Sequence, residues 1–200
     1  MPMPRRLLLP AVIAALLLIP SRAPVKAMPQ LLAAHPLPST AIAIPGGWPK
    51  LLSISTLGIR APVEPDPLTR SKPIDQQPRW SDVLWYSRGT KPGDPSRAVL
   101  FGHLDSFTAP AVFWHLHALA PGDRFTVAYA HAPALTFQVA WSHVYPDAAV
   151  PYPWMFGPAG WQRSVILVTC SGIFHGLAQG GYDHRLLVYA RLVLPSGRLA

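Results

Sequence analysis

Apolar and polar residues alternate along short stretches of this chain, and turn residues separate the stretches. Alternation with a period of two is the pattern of a half-buried strand. The pattern predicts strands at residues 51–59, 83–86, 97–103, 124–130, 135–146, 164–171 and 184–194. Gly58 in the first of them indicates a bend or bulge, and the proline-interrupted residues 61–80 are predicted to be a loop. Seven or eight short strands favour a mainly β fold, either a closed barrel or a sandwich.

Two stretches depart from the strand pattern. Apolar residues recur at helical spacing between residues 112 and 119, and Pro121 ends the run, which predicts a short helix between strands. Residues 131–134 are predicted to turn a hairpin. Residues 145–160 are rich in proline and aromatic residues and are predicted to be a loop.

The N-terminal residues have the form of an export leader. Two arginines precede an apolar stretch of 14 residues that ends at Pro20. As a helix this stretch would span about 21 Å, less than the ~30 Å hydrocarbon core of a membrane, so it fits a signal peptide better than a full span. The chain is thus divided into a signal peptide or short N-terminal anchor, a proline-rich linker and a folded domain, at residues 1–27, 28–50 and 51–194.

Composition narrows the class of function. Half of the residues are hydrophobic and 13% are charged, which is typical of a globular chain. The net charge is +8, and removal of the four basic leader residues leaves +4. The basic residues are scattered, which argues against a nucleic-acid partner and is compatible with an anionic cell envelope. The nine carboxylates are equally dispersed, so no calcium site is indicated.

The single cysteine, Cys170, stands at the end of an apolar run. One cysteine cannot form an intramolecular disulfide, and an odd cysteine in an exported protein indicates a free reactive thiol or an intermolecular bond. A nucleophile presented at the end of a strand is one interpretation. A buried structural thiol is the other.

A cysteine nucleophile needs a group that tunes its ionisation and a donor for the developing oxyanion. His103 is the candidate for the first role, because it follows a strand and Gly102; an ordinary loop histidine is the alternative. Arg185 is the candidate for the second, because it opens the terminal strand 15 residues after Cys170; a solvated cation is the alternative. Asp105 either orients His103 or stabilises a turn.

A metal site would combine His103 with His115 and His117. On a helix the last two would lie about 200° apart and could not converge on one ion. Neither a metal nor another cofactor is therefore predicted.

Taken in order, these segments resemble the sortases, the bacterial cysteine transpeptidases. "LVTCSG" is similar to their Thr-Leu-x-Thr-Cys box. "TLGIRAPV", "AVLFGHLDS", "PAVFWHLHALAPGD" and "YDHRLLVYARLV" resemble segments of class F sortases and their class E relatives in order and spacing. The resemblance covers residues 51–194.

The resemblance implies an eight-stranded β-barrel with one or two short helices, with Cys170 and Arg185 on neighbouring strands and His103 on an adjacent loop. It implies that the Cys170 thiolate attacks an LPXTG-like sorting signal between Thr and Gly. His103 would protonate the leaving amine, and Arg185 would bind the substrate or the oxyanion. The acyl group would pass to an envelope amine, such as a peptidoglycan precursor, at the extracytoplasmic face of the membrane.

The last strand departs from the class F pattern. Many class F relatives carry Tyr-Arg-Asp-Asn before it, where this chain has Tyr-Asp-His followed by Arg185. Counting back from Ala190, Arg185 falls where other sortase classes place their arginine. Arg191 lies six residues further along the strand, too far to take this role without a change of register.

Two further hypotheses concern substrate binding. Tyr152, Trp154 and Phe156 are candidates for the wall of a substrate groove, with packing of aromatic rings on prolines as the alternative. A catalytically silent β-barrel that binds envelope peptides is the alternative to an enzyme.

Overall fold

The structure, a computed structural model, describes residues 45–66 and 79–200. Within them are eight strands, β1 to β8 in chain order: Pro49–Ile54, Ile59–Asp66, Val83–Tyr86, Ser96–Phe101, Arg124–Tyr129, Ala132–Pro146, Arg163–Phe174 and Tyr182–Leu192. The α-helix α1 is Tyr152–Phe156, and single 3-10 turns occur at Ser55–Leu57, Leu116–Ala118, Asp147–Ala149 and Leu177–Gln179. The predicted leader and most of the predicted linker lie outside the described residues.

The eight strands close into a barrel in the order β1-β2-β3-β4-β7-β8-β6-β5, and β5 pairs with β1 to complete the ring. The predicted closed barrel is confirmed. Strands β2 and β3 are parallel, as are β4 and β7, and the other neighbours are antiparallel. A parallel pair needs a long crossover, which here carries the chain from β4 through β5 and β6 before it returns as β7.

Apolar side chains cover both faces of β7. Val165 and Leu167 belong to the cluster that fills the barrel. Ile166 and Val168 belong to a second cluster on the outer face, where Met155 of α1 packs on them. Strands buried on both faces have continuous apolar runs, which explains why "SVILV" shows no alternation.

The chain around Gly58 is a hairpin and not the single bent strand that was predicted. Gly58 has φ +65°, in the left-handed region that favours glycine, and it follows the 3-10 turn after β1. Its backbone reverses the chain, so β2 pairs antiparallel with β1. The predicted loop was therefore wrong for residues 61–66, which lie in β2. The predicted end of β7 at residue 171 was also wrong, because the strand continues to Phe174.

The predicted helix at residues 112–119 is only a 3-10 turn, Leu116–Ala118. Its backbone N–H groups bond three residues back, as from Leu116 to the Phe113 carbonyl at 3.0 Å, while the Phe113 N–H donates to the His103 carbonyl at 2.9 Å. The predicted apolar positions are nevertheless correct, since Phe113, Leu116 and Leu119 are buried.

The helix α1 lies instead within the predicted proline-aromatic loop. Proline near the start of a helix costs no hydrogen bond, so Pro153 is tolerated there. Burial of Met155 holds this short helix on the barrel. Over residues 45–66 and 79–200, no helix combines the length and the hydropathy required to cross a membrane.

Gly102, directly before His103, packs where no other side chain fits. A Cβ atom at this position would lie 2.4 Å from Cδ2 of the buried Phe113 ring. We expect Gly102→Ala to lower the free energy of unfolding by about 1–3 kcal/mol, the usual cost of overpacking. Urea unfolding measures this difference. Gly46→Ala is the control, because a Cβ there meets no atom within 4 Å, and an equal effect of both substitutions would contradict the expectation.

Candidate active site

Cys170 and Arg185 are direct partners on the antiparallel strands β7 and β8. Side chains of directly opposed residues point to the same face. That face is the outer one, because Val168 and Leu187, each two residues away on its strand, belong to the outer cluster. The Cys170 side chain is half-buried. The structure therefore brings the predicted cysteine and arginine together at one end of the barrel.

His103 reaches the same end from the other neighbour of β7. In the parallel pair, Phe101 lies opposite Val168, and the Gly102 N–H donates to the Val168 carbonyl at 3.1 Å. His103 is two residues beyond Phe101, just as Cys170 is two residues beyond Val168. Continuation of this register carries His103 to the side of Cys170 opposite Arg185.

The imidazole of His103 packs against an aromatic ring from another part of the chain. The ring centroids of Trp80 and His103 are 4.4 Å apart. The Trp80 ring also contacts the Phe107 ring, with centroids 6.1 Å apart. The His103 backbone is held as well, through its carbonyl, by the Phe113 N–H. These contacts fix a histidine that lies just beyond the end of β4.

Three oxygen acceptors orient the Arg185 guanidinium. Its Nη1 donates to the carbonyl oxygens of Tyr182 at 2.8 Å and His184 at 2.9 Å. Its Nη2 lies 3.3 Å from Oδ1 of Asp147, and 13% of the side chain is exposed. Arg191, in contrast, pairs with Ser164, about 20 Å further along the strand. The backbone register thus separates the two arginines and places Arg185 at the cysteine.

The α1 segment, residues 147–158, covers the outer face beside these groups. Tyr152 and Phe156 are the exposed aromatic residues of α1, at 46% and 41%, and their rings stack with centroids 6.3 Å apart. The ring centroids of Phe156 and Phe101 of β4 are 6.4 Å apart. Phe156 and Tyr86 both line a pocket of about 260 Å³. Two of the three aromatic residues predicted to form a wall are therefore accessible on the face that carries Cys170.

Trp154 has a different environment. Its ring lies 5.6 Å from Trp141 and 5.7 Å from Tyr189, and the Arg97 guanidinium is 4.6 Å from its centroid. Arg97 also donates from Nη2 to the carbonyl oxygens of residues 157 and 158, at 3.1 and 3.2 Å. The contacts of Trp154 are therefore packing contacts, the alternative to a groove wall. They fasten the α1 segment to the barrel.

A family model for the sortase domain matches residues 52–193. The chain belongs to the sortase family. Sortases are cysteine transpeptidases, and Cys170 is the single cysteine of this sortase. Curated protein sequences show no significant match to it.

Solved sortase structures share the fold. Sortase C1 of Streptococcus agalactiae is 22% identical with a TM-score of 0.55, over 72% of this chain and 66% of that one. Sortase C-1 of Actinomyces oris is 24% identical with a TM-score of 0.55, over 72% of each chain. A lid mutant of sortase A from Corynebacterium diphtheriae is 18% identical with a TM-score of 0.56, over 74% of this chain and 70% of that one. The sortase thus spans just under two thirds of the S. agalactiae enzyme.

The β7–β8 connection of the sortase is organised around Asp183. Its carboxylate accepts a hydrogen bond from the Ile173 N–H at 2.8 Å, and it lies 2.7 Å from Nδ1 of His184 and 3.2 Å from Nε2 of His175. The hydrogen bond with His184, followed by the one from Ile173, holds the pKa of Asp183 well below its ordinary value. Gly172, with φ +83°, permits this approach, because a Cβ there would lie 2.1 Å from Oδ1 of Asp183.

Asp105 lies two residues beyond His103, and its carboxylate accepts a hydrogen bond from the Tyr182 hydroxyl at 2.5 Å. Sequence patterns assigned no role to Tyr182. They also assigned none to Trp80, which packs on His103, or to Asp147, which pairs with Arg185. The available signals were slight: a tryptophan in a polar stretch and an aspartate after a proline. None of these residues is close in sequence to the group that it contacts, apart from Tyr182 and Arg185.

The low pKa of Asp183 makes its contribution to stability depend on pH. A carboxylate with a depressed pKa stabilises the fold above its unfolded-state pKa, about 3.9, and this stabilisation is lost as the pH falls through the folded-state value. We expect Asp183→Asn to be less stable than the parent at pH 5.5, with a difference that shrinks towards pH 2.5. Thermal unfolding across this range measures it. Asp94→Asn is the control, because this half-buried carboxylate makes a longer ion pair, 4.0 Å from Lys91, and a difference independent of pH would contradict the assignment.

The contacts of Arg97 predict its effect on the α1 segment. Lysine keeps the charge but lacks the planar fork that contacts two carbonyls and the Trp154 ring. We expect Arg97→Lys to speed hydrogen exchange at the amides of Met155 and Gly157 by about 5- to 30-fold, equivalent to about 1–2 kcal/mol of local stability. Arg124→Lys, on the exposed side of β5, is the matched control. Unchanged exchange in α1 would show that Arg97 does not fasten the segment.

Proposed function

We propose that this sortase is an exported enzyme of the class F and class E type, which cleaves an LPXTG-like sorting signal between Thr and Gly. The observation that carries the proposal is the direct pairing of Cys170 with Arg185, with His103 delivered to the other side of the cysteine by the parallel register of β4. The resemblance of "AVLFGHLDS" and "YDHRLLVYARLV" to class F segments supports the subtype.

The reaction has two acyl transfers. The thiolate of Cys170 attacks the Thr carbonyl carbon, and the oxygen takes up the negative charge. The C–N bond then breaks, the leaving amine takes a proton from His103, and a thioester remains on the enzyme. An acceptor amine attacks the thioester carbonyl and gives a proton to the now neutral His103, the C–S bond breaks, and the Cys170 thiolate and the protonated His103 are both restored. Water is the slower acceptor.

Arg185 supplies a fixed positive charge beside the cysteine. Its guanidinium cannot lose its proton at working pH, and its fork donates several hydrogen bonds in one plane. The two carbonyls and Asp147 hold it before substrate arrives, so little reorganisation is needed when the oxyanion forms. These contacts support its role as the oxyanion or substrate donor.

The exposed rings of Tyr152 and Phe156 form the apolar side of the substrate groove. An LPXTG-like signal presents a leucine and a proline, which gain free energy when such rings remove them from water. Trp154 supports this side of the groove indirectly, because its packing on Trp141 and Tyr189 holds the α1 segment on the barrel. Asp105, two residues after His103, accepts the hydrogen bond from Tyr182 and so helps to hold the loop that carries His103.

The partners follow from the same proposal. The substrates are proteins that carry the sorting signal, and the acceptor is a peptidoglycan precursor or another envelope amine. Residues 1–27 direct the enzyme out of the cytoplasm, as a cleaved signal peptide or as a short anchor, and residues 28–50 link them to the catalytic domain at residues 51–194. The enzyme uses no metal or cofactor for this reaction.

The test is cleavage of an internally quenched LPXTG-type peptide by the full-length chain, with triglycine as acceptor amine. We expect Cys170→Ala to abolish turnover, His103→Ala to lower it by about 10²- to 10⁴-fold, and Arg185→Ala by about 10²- to 10³-fold. Arg191→Ala is the matched control on the same strand, because its guanidinium donates to the Ala200 carbonyl at 3.1 Å, far from Cys170, and it should keep turnover within about threefold.

The possible results separate the hypotheses. A thioester on Cys170, trapped with the sorting peptide, would identify the nucleophile directly. If Arg185→Ala kept full activity, the role of the arginine would be wrong while the cysteine mechanism would stand. Absence of both cleavage and a covalent adduct over a panel of sorting sequences would favour the alternative, a silent barrel that binds envelope peptides.

A further inference from the structure

A hydrogen bond between two side chains joins β8 to the loop that follows β4, the two elements on either side of Cys170. The Tyr182 hydroxyl donates to Oδ2 of Asp105 at 2.5 Å, and the two residues are 77 positions apart in sequence. Both side chains are half-buried, so water is partly excluded from the bond. A hydrogen bond to a charged carboxylate is stronger than one between neutral groups.

At one end, the bond holds the loop that carries His103. Asp105 follows His103 by two residues and forms an isolated antiparallel bridge with Pro110. Because Gly102 makes the last backbone bond described between this strand and β7, His103 and Asp105 lie beyond the regular pairing of β4. Their position therefore depends on loop contacts, of which this bond is one.

At its other end, the bond reaches the first residue of β8. The Tyr182 carbonyl accepts the Arg185 Nη1 hydrogen bond, and the Tyr182 ring lies 5.1 Å from Phe174. One residue thus contacts the arginine through its backbone and the histidine loop through its side chain. Packing against Phe174 keeps the ring in place independently of its hydroxyl.

The hydroxyl of Tyr182 is a permanent donor. Burial, followed by the hydrogen bond and charge of Asp105 and then by the charge of Cys170, raises its pKa to about 12. The phenol therefore stays protonated at neutral pH, and its single proton is committed to Asp105.

We propose that Tyr182 and Asp105 are positioning residues, whose hydrogen bond fixes His103 opposite Arg185 with Cys170 between them. This inference rests on the proposed function for the roles of the three groups. The bond ties the loop after β4 to β8, two elements that are connected by backbone pairing only through β7. Without it, the loop loses one of the contacts that hold the imidazole beside the thiol, so the cation that stabilises the thiolate is less firmly placed.

Tyr182→Phe tests the proposal, because it removes the hydroxyl and keeps the ring against Phe174. We expect it to lower kcat/KM for the quenched peptide by about tenfold to a hundredfold, mainly through kcat. We expect the same loss in Asp105→Ala. Asp105→Asn keeps an oxygen acceptor and should stay within about threefold of the parent, because the hydroxyl can still donate to it. The kcat/KM of the double variant Tyr182→Phe/Asp105→Ala should be no lower than that of the less active single variant.

A second readout does not depend on the peptide. Iodoacetamide alkylates the single cysteine through its thiolate, so the pH dependence of the rate reports on the ionisation of Cys170. We expect the midpoint of this profile to move to higher pH in Tyr182→Phe and Asp105→Ala. Tyr189→Phe is the matched control, since it removes a phenol hydrogen bond, to Gln162 at 3.2 Å, from the same strand.

The outcomes distinguish the two proposals. Shifted alkylation profiles with no cleavage by the parent would refute the sorting substrate and support the positioning role. If Tyr182→Phe matched Tyr189→Phe in both turnover and alkylation, the positioning role would be overturned. A lower melting temperature with an unmoved alkylation profile would show that the bond only stabilises the fold, and would likewise overturn it.

Discussion

Backbone hydrogen bonds hold β7 between a parallel neighbour, β4, and an antiparallel neighbour, β8. Because strand side chains alternate with a period of two, a slip of one residue in either pairing would turn every side chain of β7 to the other face. The apolar residues of both faces are buried, so such a slip would force the side chains that fill the barrel to exchange places with those under α1, and would turn Cys170 into the barrel. The core thus fixes the register, and the register in turn places Arg185 on one side of Cys170 and His103 on the other.

Burial of both faces of β7 requires a cover outside the barrel. The α1 segment provides it, through Met155 and the packed ring of Trp154. The same segment presents Tyr152 and Phe156 to solvent on the face that carries Cys170. The apolar cover of the strand and the side of the candidate groove are therefore one structure, so a substitution that loosens the cover also moves the groove.

Polar contacts organise the end of the barrel where the strands finish. A donor or acceptor that is buried from water without a partner costs about 1–3 kcal/mol. Here the partners bridge separate elements: Asp147, in the turn after β6, pairs with Arg185, and Asp105, in the loop after β4, accepts from Tyr182. These two contacts therefore also hold the elements that carry the candidate catalytic groups in fixed relative positions.

Short-range periodicity predicted seven of the eight strands and the apolar positions, and the ends of apolar runs indicated Cys170, His103 and Arg185 as candidates. The same pattern missed β2, which lies in a proline-interrupted stretch. It identified Leu116 as a core residue but predicted the wrong helix around it, since spacing alone does not distinguish a 3-10 turn from an α-helix. The location of α1 and the partner of Asp105 became known only from the folded chain. Both depend on contacts between residues far apart in sequence, 77 positions in the case of Asp105, and no local pattern carries that information.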